Sequence, residues 1–172
     1  MAQVIHNYIS LNEQKALQKW ANENYLPVRN QPDDLLKSTQ NAHRKPTSGE
    51  RLSKLVCKDN APAEFFDIQK RMVADFGLQD RVPTTNKQGK VIVHKEDSET
   101  PAHIDYYEHL GPGFYRMIAK IQSAEVGGEL IVDGETIDLP ERSIVIFDAS
   151  KSHEVTLVEK GTRIVYAFGW KD

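Results

Sequence analysis

The pattern of hydrophobic and polar positions predicts two helices in the first half of the chain. Ser10 and Glu13 have the spacing of a capping box, and apolar residues then recur at helical spacing, which predicts an amphipathic helix over residues 11–25. A second run with an apolar helical face covers residues 62–76, and Gly77 follows it where a left-handed cap would end a helix. Two helices are therefore expected ahead of the rest of the fold.

A polar segment over residues 27–49 separates these two helices. It is rich in Asn, Gln, Asp, Ser, Thr and Pro and has little periodicity, which indicates a loop. The loop is a candidate lid over a binding site, where Arg29, Arg44 and the nearby Arg51 could pair with a substrate carboxylate. An ordinary solvated loop explains the same composition, so both interpretations stay open.

The pattern changes beyond Pro83 to short β-type runs separated by turn residues. Eight runs follow one another: VIVH at 91–94, HIDYY at 103–107, FYRMIAKI at 114–121, ELIV at 129–132, ETIDL at 135–139, SIVIF at 143–147, EVTLV at 154–158 and RIVYAF at 163–168. The pair Asp133-Gly134 predicts a type I′ hairpin turn, because both central residues of that turn need positive φ. Runs at this spacing predict a two-sheet sandwich or jelly roll.

Length and composition support one globular domain. The chain has 172 residues, of which 39% are hydrophobic and 27% charged, a composition typical of a folded protein. We expect a single domain over residues 1–172 that is mainly β with N-terminal helices. In it, residues 1–82 form a helical support with the lid loop, and residues 83–172 form the β-core.

Charge and cysteine content narrow the partners and the compartment. Twenty-two basic against twenty-five acidic side chains give a net charge of −3, which disfavours a nucleic acid as partner. Cys57 is the only cysteine, so a disulfide within the chain is excluded and a reducing compartment is expected. The N-terminal residues have no signal-peptide pattern and no stretch reaches the roughly 18 apolar residues of a membrane span. We therefore expect a cytoplasmic protein.

Four residues in the β-rich half form a candidate metal and anion site. His103 and Asp105 are two residues apart in an extended run, and side chains at that spacing point to the same side of a strand. His153 would complete a triad of two histidines and one carboxylate, which leaves positions open on iron(II). An HxD triplet alone is weak support, but Arg163 follows His153 by ten residues and could hold a carboxylate bidentately beside the metal.

These residues carry a family resemblance that covers about residues 90–170. The matching motifs are AHID at 102–105, GGEL at 127–130, SHEV at 152–155 and RIVYAFGW at 163–170. Together they resemble the iron(II)/2-oxoglutarate (2OG) dioxygenases, most of all the prolyl-hydroxylase-like branch. The resemblance implies a double-stranded β-helix, the cupin-like jelly roll. It also implies that His103, Asp105 and His153 bind iron and that Arg163 pairs with the C5 carboxylate of 2OG.

The second contact to that carboxylate stays open. Some branches of the family place a serine two residues after the arginine, where this chain has Val165. Tyr115 and Tyr107 are alternatives, and so is Lys120, although its apolar neighbours alternate in a way that predicts solvent exposure for the lysine. His94 ends a predicted strand, and the resemblance implies that it faces the cosubstrate or the substrate; an exposed strand-end residue is the alternative.

The resemblance also implies an activity. We expect an oxygenase that uses iron(II), O2 and 2OG, with ascorbate as an optional reductant, and releases succinate and carbon dioxide. The expected reaction is hydroxylation of an unactivated C–H bond in an amino acid, a peptidyl residue such as prolyl, or a small metabolite. The carboxylate of Asp105 argues against a halogenase, which needs that coordination position for a halide.

Two alternative functions remain for the chain. The acidic balance makes a nucleic-acid demethylase the weaker one. A cupin-like isomerase or binding module without 2OG is the other, and Arg163 discriminates against it because such a protein has no carboxylate to hold there.

Overall fold

The computed structural model describes residues 2–30, 49–57, 59–80, 82–83, 89–105 and 113–171. Its helices are α1 (Leu11–Glu23) and α2 (Ala63–Asp75), with single 3-10 turns at Val28–Asn30 and Gly49–Arg51. Its strands are β1 (Gln3–Ile5), β2 (Leu52–Val56), β3 (Val82–Pro83), β4 (Lys90–Lys95), β5 (Ser98–His103), β6 (Phe114–Gln122), β7 (Val126–Gly127), β8 (Leu130–Val132), β9 (Glu135–Ile137), β10 (Ile144–Asp148), β11 (His153–Lys160) and β12 (Thr162–Lys171).

Both predicted helices are present, and their ends follow from local chemistry. The Ser10 hydroxyl accepts a hydrogen bond from the Glu13 amide, and the Glu13 carboxylate accepts one from the Ser10 amide, so the capping box closes at the start of α1. After α2 the chain turns at Gly77, whose φ of 61° is in the left-handed region. The prediction of two capped helices is confirmed.

The strands form two antiparallel sheets. The major sheet has the order β1-β10-β6-β12-β4-β2, with β3 paired to β12. The minor sheet has the order β5-β11-β8-β9, with β7 paired to β11. The predicted hairpin joins β8 to β9, and Asp133 and Gly134 have the positive φ values of 54° and 83° that its turn requires. The predicted jelly roll is confirmed.

The major sheet has a hydrophobic layer on each face. On β6, Met117 and Ala119 belong to the cluster that also holds Leu17 of α1 and Phe65 of α2, so this outer face is covered by the helices. Ile118, which lies between Met117 and Ala119 in the sequence, belongs to the second cluster, between the two sheets. That alternation sorts every β6 side chain into helix-facing or interior, which decides which residues can reach the site.

One predicted strand is wrong in its position. The described part of the predicted strand 103–107 does not continue as a strand. Strand β5 ends at His103, and Ile104 and Asp105 follow it in irregular structure. The actual strand lies in the preceding segment SETPAH, whose polar residues and proline hide it from a search for alternating hydrophobic positions. The first part of the chain also contributes β1 and β2 to the major sheet, which hydrophobic periodicity did not predict.

Several expectations lie partly or wholly outside the described residues. Of the candidate lid loop, only its two ends are described, and residues 31–48, with Arg44, are outside the described part, as is Tyr107. Arg29 and Arg51 are exposed and pair with Glu50 and Asp97 respectively. None of the helices that the structure describes is long and apolar enough to cross a membrane.

Candidate metal centre

The structure brings His103, Asp105 and His153 together. One potential ligand atom from each residue lies within 4.8 Å of the others. The Nε2 atom of His103 is 3.8 Å from Asp105 Oδ1, and the Nε2 atom of His153 is 3.7 Å from Asp105 Oδ2. His153 is buried and the other two residues are half-buried, so the group is open on one side.

The minor sheet and one loop hydrogen bond fix this arrangement. His103 at the end of β5 is directly opposite His153 at the start of β11, and their rings are 4.2 Å apart between centroids. The chain beyond β5 is held by the Asp105 amide, which donates to the carbonyl of Ala149 at 2.8 Å. Convergence therefore comes from a cross-strand pair plus an anchored loop residue, and not from a strand that continues through Asp105.

Both imidazoles are oriented for metal binding by backbone carbonyls. His103 Nδ1 lies 2.9 Å from the carbonyl of Pro101, and His153 Nδ1 lies 2.9 Å from the carbonyl of Lys151. A carbonyl can only accept, so each Nδ1 carries the proton and each Nε2 keeps its lone pair. This second layer of hydrogen bonds fixes the tautomer that a metal ligand needs.

Arg116 holds the carboxylate of Asp105. Its Nε donates to Asp105 Oδ2 at 2.6 Å, and both side chains are largely removed from solvent. Burial by itself raises the pKa of Asp105, but the charge of Arg116 and its hydrogen bond bring that pKa well below its usual value. Asp105 is therefore ionised, with Oδ2 in the contact with Arg116 and Oδ1 3.8 Å from His103 Nε2.

Arg163 is a buried cation without a described anion beside it. It is only 1% exposed, its Nε has no hydrogen-bond partner among the described residues, and burial lowers its pKa to about 10. Its Nη1 lies 3.4 Å from His94 Nδ1. An unpaired buried guanidinium is costly, so the position suits a ligand carboxylate.

His94 is neutral and orients this guanidinium. Its pKa is well below the usual value because the ring is buried, with further lowering from the charges of Arg163 and Lys54. A guanidinium can only donate, so His94 Nδ1 accepts from Arg163, and Nε2 donates to Thr100 Oγ1 at 2.8 Å. His94 is thus an interior residue in contact with Arg163, and of the two expectations for it, exposure at a strand end is wrong.

The GGEL motif makes room for the same arginine. Gly128 has a φ of 71°, and a Cβ there would lie 3.1 Å from both Arg163 Cδ and Val158 Cγ2. Any side chain at Gly128 would therefore press on the stem of Arg163. The glycine turn at 127–128 therefore leaves the space that the Arg163 side chain occupies.

Two expectations for residues of β6 are wrong: that Tyr115 faces the cosubstrate and that Lys120 is exposed to solvent. Tyr115 is on the helix-facing side of β6, with its ring 5.7 Å from that of Trp170, so it does not face Arg163. Lys120 is on the interior side, half-buried opposite Val165, and burial followed by the charge of Arg163 lowers its pKa. The expected exposure of Lys120 is wrong, because the face opposite the helices is the inside of the fold.

Sequence reasoning missed three further cations on this interior face: Arg116, Lys54 on β2 and Lys90 on β4. The alternation of β6 was a usable signal for Arg116, since Phe114 and Ile118 on either side of it are interior residues. Lys54 and Lys90 gave no such signal, because strand β2 was not predicted and Lys90 lies just before its predicted strand.

Solved structures share this fold. The viral collagen prolyl hydroxylase of Paramecium bursaria Chlorella virus-1, in a 2OG complex, is 13% identical with a TM-score of 0.68, over 98% of this chain and 93% of that chain. HygX from Streptomyces hygroscopicus, with nickel and 2-oxoglutarate bound, is 11% identical with a TM-score of 0.65, over 99% and 82%. A prolyl hydroxylase from Trichoplax adhaerens, in complex with a hypoxia inducible factor peptide fragment, is 13% identical with a TM-score of 0.67, over 99% and 83%.

No protein-family model and no curated protein sequence matches the chain. The likeness to solved structures therefore rests on three-dimensional form at low sequence identity. It shows that this chain has the double-stranded β-helix fold found in prolyl hydroxylases and other 2OG-iron(II) oxygenases. The fold predicted from the four short motifs is confirmed.

The residues present fit the metal and the cosubstrate that this fold accommodates elsewhere. Two imidazole Nε2 atoms and one carboxylate oxygen are the donor set that non-haem iron(II) oxygenases use. The buried and unpaired Nε of Arg163 is the kind of group that a dicarboxylate would satisfy.

Proposed function

We propose that this protein is an iron(II)- and 2OG-dependent oxygenase that hydroxylates an amino acid, a peptidyl residue or a small metabolite. The observation that carries the proposal is the presence of two features in the interior between the two sheets. These are a triad whose imidazoles are locked with Nε2 available, and a buried arginine that has no described anion beside it.

Each residue has a role that follows from its contacts. His103 Nε2, His153 Nε2 and Asp105 would hold iron(II), while Arg116 keeps the second carboxylate oxygen occupied and the Asp105 side chain fixed. Arg163 would bind the distal carboxylate of 2OG, and His94 keeps its guanidinium in place. When bound, iron(II) with 2OG activates O2 for oxidation of an unactivated C–H bond, with release of succinate and carbon dioxide.

Apolar side chains between the two sheets line part of the proposed site. The ring of Phe147 meets that of His153 edge-on at 5.1 Å between centroids, and Val165 and Ala167 of β12 are almost fully buried between the sheets. Such an apolar wall strengthens the electrostatic contacts inside it and limits side reactions. Lys120, half-buried on the same face as Arg163, is our candidate for the second contact to the cosubstrate carboxylate.

The same features separate this proposal from the cupin-like alternative. An isomerase or binding module without 2OG needs a metal triad but no buried arginine that lacks an anion. Leaving Arg163 unpaired in such a protein would cost stability with no function to offset it.

Anaerobic titration tests the proposal. The purified protein is loaded with iron(II), and 2OG is added while the weak visible charge-transfer band of the chelate is followed. We expect the band in the wild type and in an Arg29→Met control, because Arg29 is exposed. We expect none in His153→Ala, which lacks a ligand, and absence of the band in the wild type would refute the proposal.

Arg163→Met separates cosubstrate binding from metal binding. Loss of two charge-assisted hydrogen bonds, at about 1.5–3 kcal/mol each, should weaken 2OG binding on the order of 100-fold or more. Iron(II) affinity should be retained, because Arg163 contacts no member of the triad in the described structure. The fold should also be retained, since replacing a buried charge by an apolar side chain of similar size is often neutral or stabilising.

A further inference from the structure

Two lysines from neighbouring strands lie on the interior face of the major sheet, the face that is directed toward the minor sheet and its two histidines. Lys54 on β2 is directly opposite Ile92 on β4, and Ile92 packs against the cluster between the sheets. Lys90 precedes Ile92 by two residues and therefore points to the same side of β4. Both lysines are half-buried, so neither ammonium group is simply a solvated surface charge.

The charges of these lysines reach the metal centre. Lys54 interacts electrostatically with Asp105 and Arg116, and Lys90 interacts with Arg116, Lys54 and Asp105. Burial, followed by the charges of Arg116 and Lys54, lowers the pKa of Lys90 to about 7. Removal from water together with neighbouring positive charge is the environment that an anionic ligand would relieve.

The described residues near Lys54 and Lys90 carry too little negative charge to balance the two lysines. Among the described residues, Asp105 is the only carboxylate that acts on either lysine, and Arg116 already donates to it at 2.6 Å. The charges of iron(II) and of doubly ionised 2OG would cancel, and the cosubstrate carboxylates have their own partners in the metal and Arg163. Within the described part of the chain, Lys54 and Lys90 therefore have no negative partner of their own even when iron(II) and 2OG are counted.

We propose that Lys54 and Lys90 form an anion subsite that binds a carboxylate or phosphate group of the primary substrate beside the metal centre. That the neighbouring site is an iron(II) and 2OG centre rests on the proposed function. The anion subsite then narrows the class of the primary substrate. The oxidised C–H bond then belongs to an anionic molecule, such as a free amino acid, an acidic peptidyl residue or a phosphorylated metabolite. A neutral prolyl peptide would leave the Lys54 ammonium group and the protonated form of Lys90 without an anion.

Anion titration of the loaded enzyme tests the subsite. Protein saturated with iron(II) and 2OG is titrated anaerobically by calorimetry with sodium sulfate, a tetrahedral oxyanion that stands for a phosphate ester, and separately with sodium acetate. The variants are Lys54→Met, Lys90→Met and the double variant. Lys95→Met is the matched control, because Lys95 is on the same strand but has its ammonium group 4.3 Å from the centre of the Tyr25 ring.

The double variant should lose at least about tenfold in affinity for the preferred anion, since each lysine supplies a charge-assisted hydrogen bond. The control should stay within about twofold of the wild type. The charge-transfer band of the 2OG chelate should keep its 2OG dependence in every lysine variant, which also shows that these variants fold. Stronger binding of sulfate than acetate would indicate a phosphate group in the substrate, and the reverse a carboxylate.

Two results would overturn the subsite. One is an unchanged anion affinity in the double variant, and the other is anion binding that competes with 2OG, which would place the anion at Arg163 or the metal. Loss of anion affinity in the double variant supports the subsite even if the wild type shows no chelate band. In that case the proposed oxygenase function alone fails.

Discussion

At the scale of single residues, Arg116 fixes the carboxylate of Asp105 in the proposed metal centre. Its Nε donates to Oδ2 at 2.6 Å, and its charge keeps the carboxylate ionised. Arg116→Met should lower the affinity for iron(II) by about 10- to 100-fold, as loss of an orienting partner outside the ligand set does in metal sites. Competition with a chromogenic chelator measures this affinity, and Arg29→Met serves as the control.

Unchanged or tighter iron(II) binding in Arg116→Met would have a different physical cause. Arg116 also places a positive charge close to the metal position, and its removal reduces repulsion of the cation. Equal or tighter iron(II) binding in Arg116→Met would show that repulsion outweighs orientation, and the role assigned to Arg116 would then be wrong.

Residues separated by a short spacing in the sequence could be predicted. Residues that reach the site only through the pairing of distant strands could not. His103 and Asp105 are two positions apart, and His153 and Arg163 are linked by a fixed spacing of ten, so a short pattern finds them. Lys54 reaches Asp105 only through the pairing of β2 with β4, which no local pattern predicts. For Lys120 the alternation was correct, but alternation alone does not tell which face of a strand is interior.

At the scale of elements, Glu13 joins the start of α1 to α2. Its carboxylate caps the Ser10 amide and also accepts two hydrogen bonds from Arg71, at 2.7 and 3.1 Å. Glu13→Ala should reduce the free energy of unfolding by about 1–3 kcal/mol, because it removes a cap and a partly buried bidentate ion pair. Urea denaturation followed by circular dichroism measures this change.

A second glutamate on the same helix provides the control. Glu23 pairs with Lys19 at 3.9 Å, and both side chains are mostly exposed, so Glu23→Ala should cost no more than about 0.5 kcal/mol. Similar effects of the two substitutions would show that the contact between Glu13 and Arg71 adds little to the packing of the helices.

Elements with a strong periodic or turn signal were predictable, and elements held by their neighbours were not. The capping box predicts the start of α1, and Asp133-Gly134 predicts the hairpin of β8 and β9. Strand β5 carries Pro101 and mostly polar residues, so its own sequence does not favour a strand. It forms because β11 pairs with it, and that pairing places His103 opposite His153.

At the scale of the whole molecule, the candidate site bridges the two sheets. His103 and His153 come from the minor sheet, whereas Arg116 and Arg163 come from the major sheet. Ligands that engage both sets of residues would tie the sheets together. The stability of the fold and the occupancy of the site should therefore be linked.

Thermal unfolding under anaerobic conditions should show this linkage. A ligand at 100 times its Kd adds about 2.7 kcal/mol, which corresponds to a rise in Tm of roughly 5–10 °C for a chain of this size. Iron(II) should raise Tm alone, 2OG should raise it only when iron(II) is present, and Asp105→Ala should abolish both shifts. In Arg163→Met the iron(II) shift should remain while the 2OG increment is lost. A full 2OG increment in that variant would mean that the distal carboxylate binds elsewhere than at the buried guanidinium.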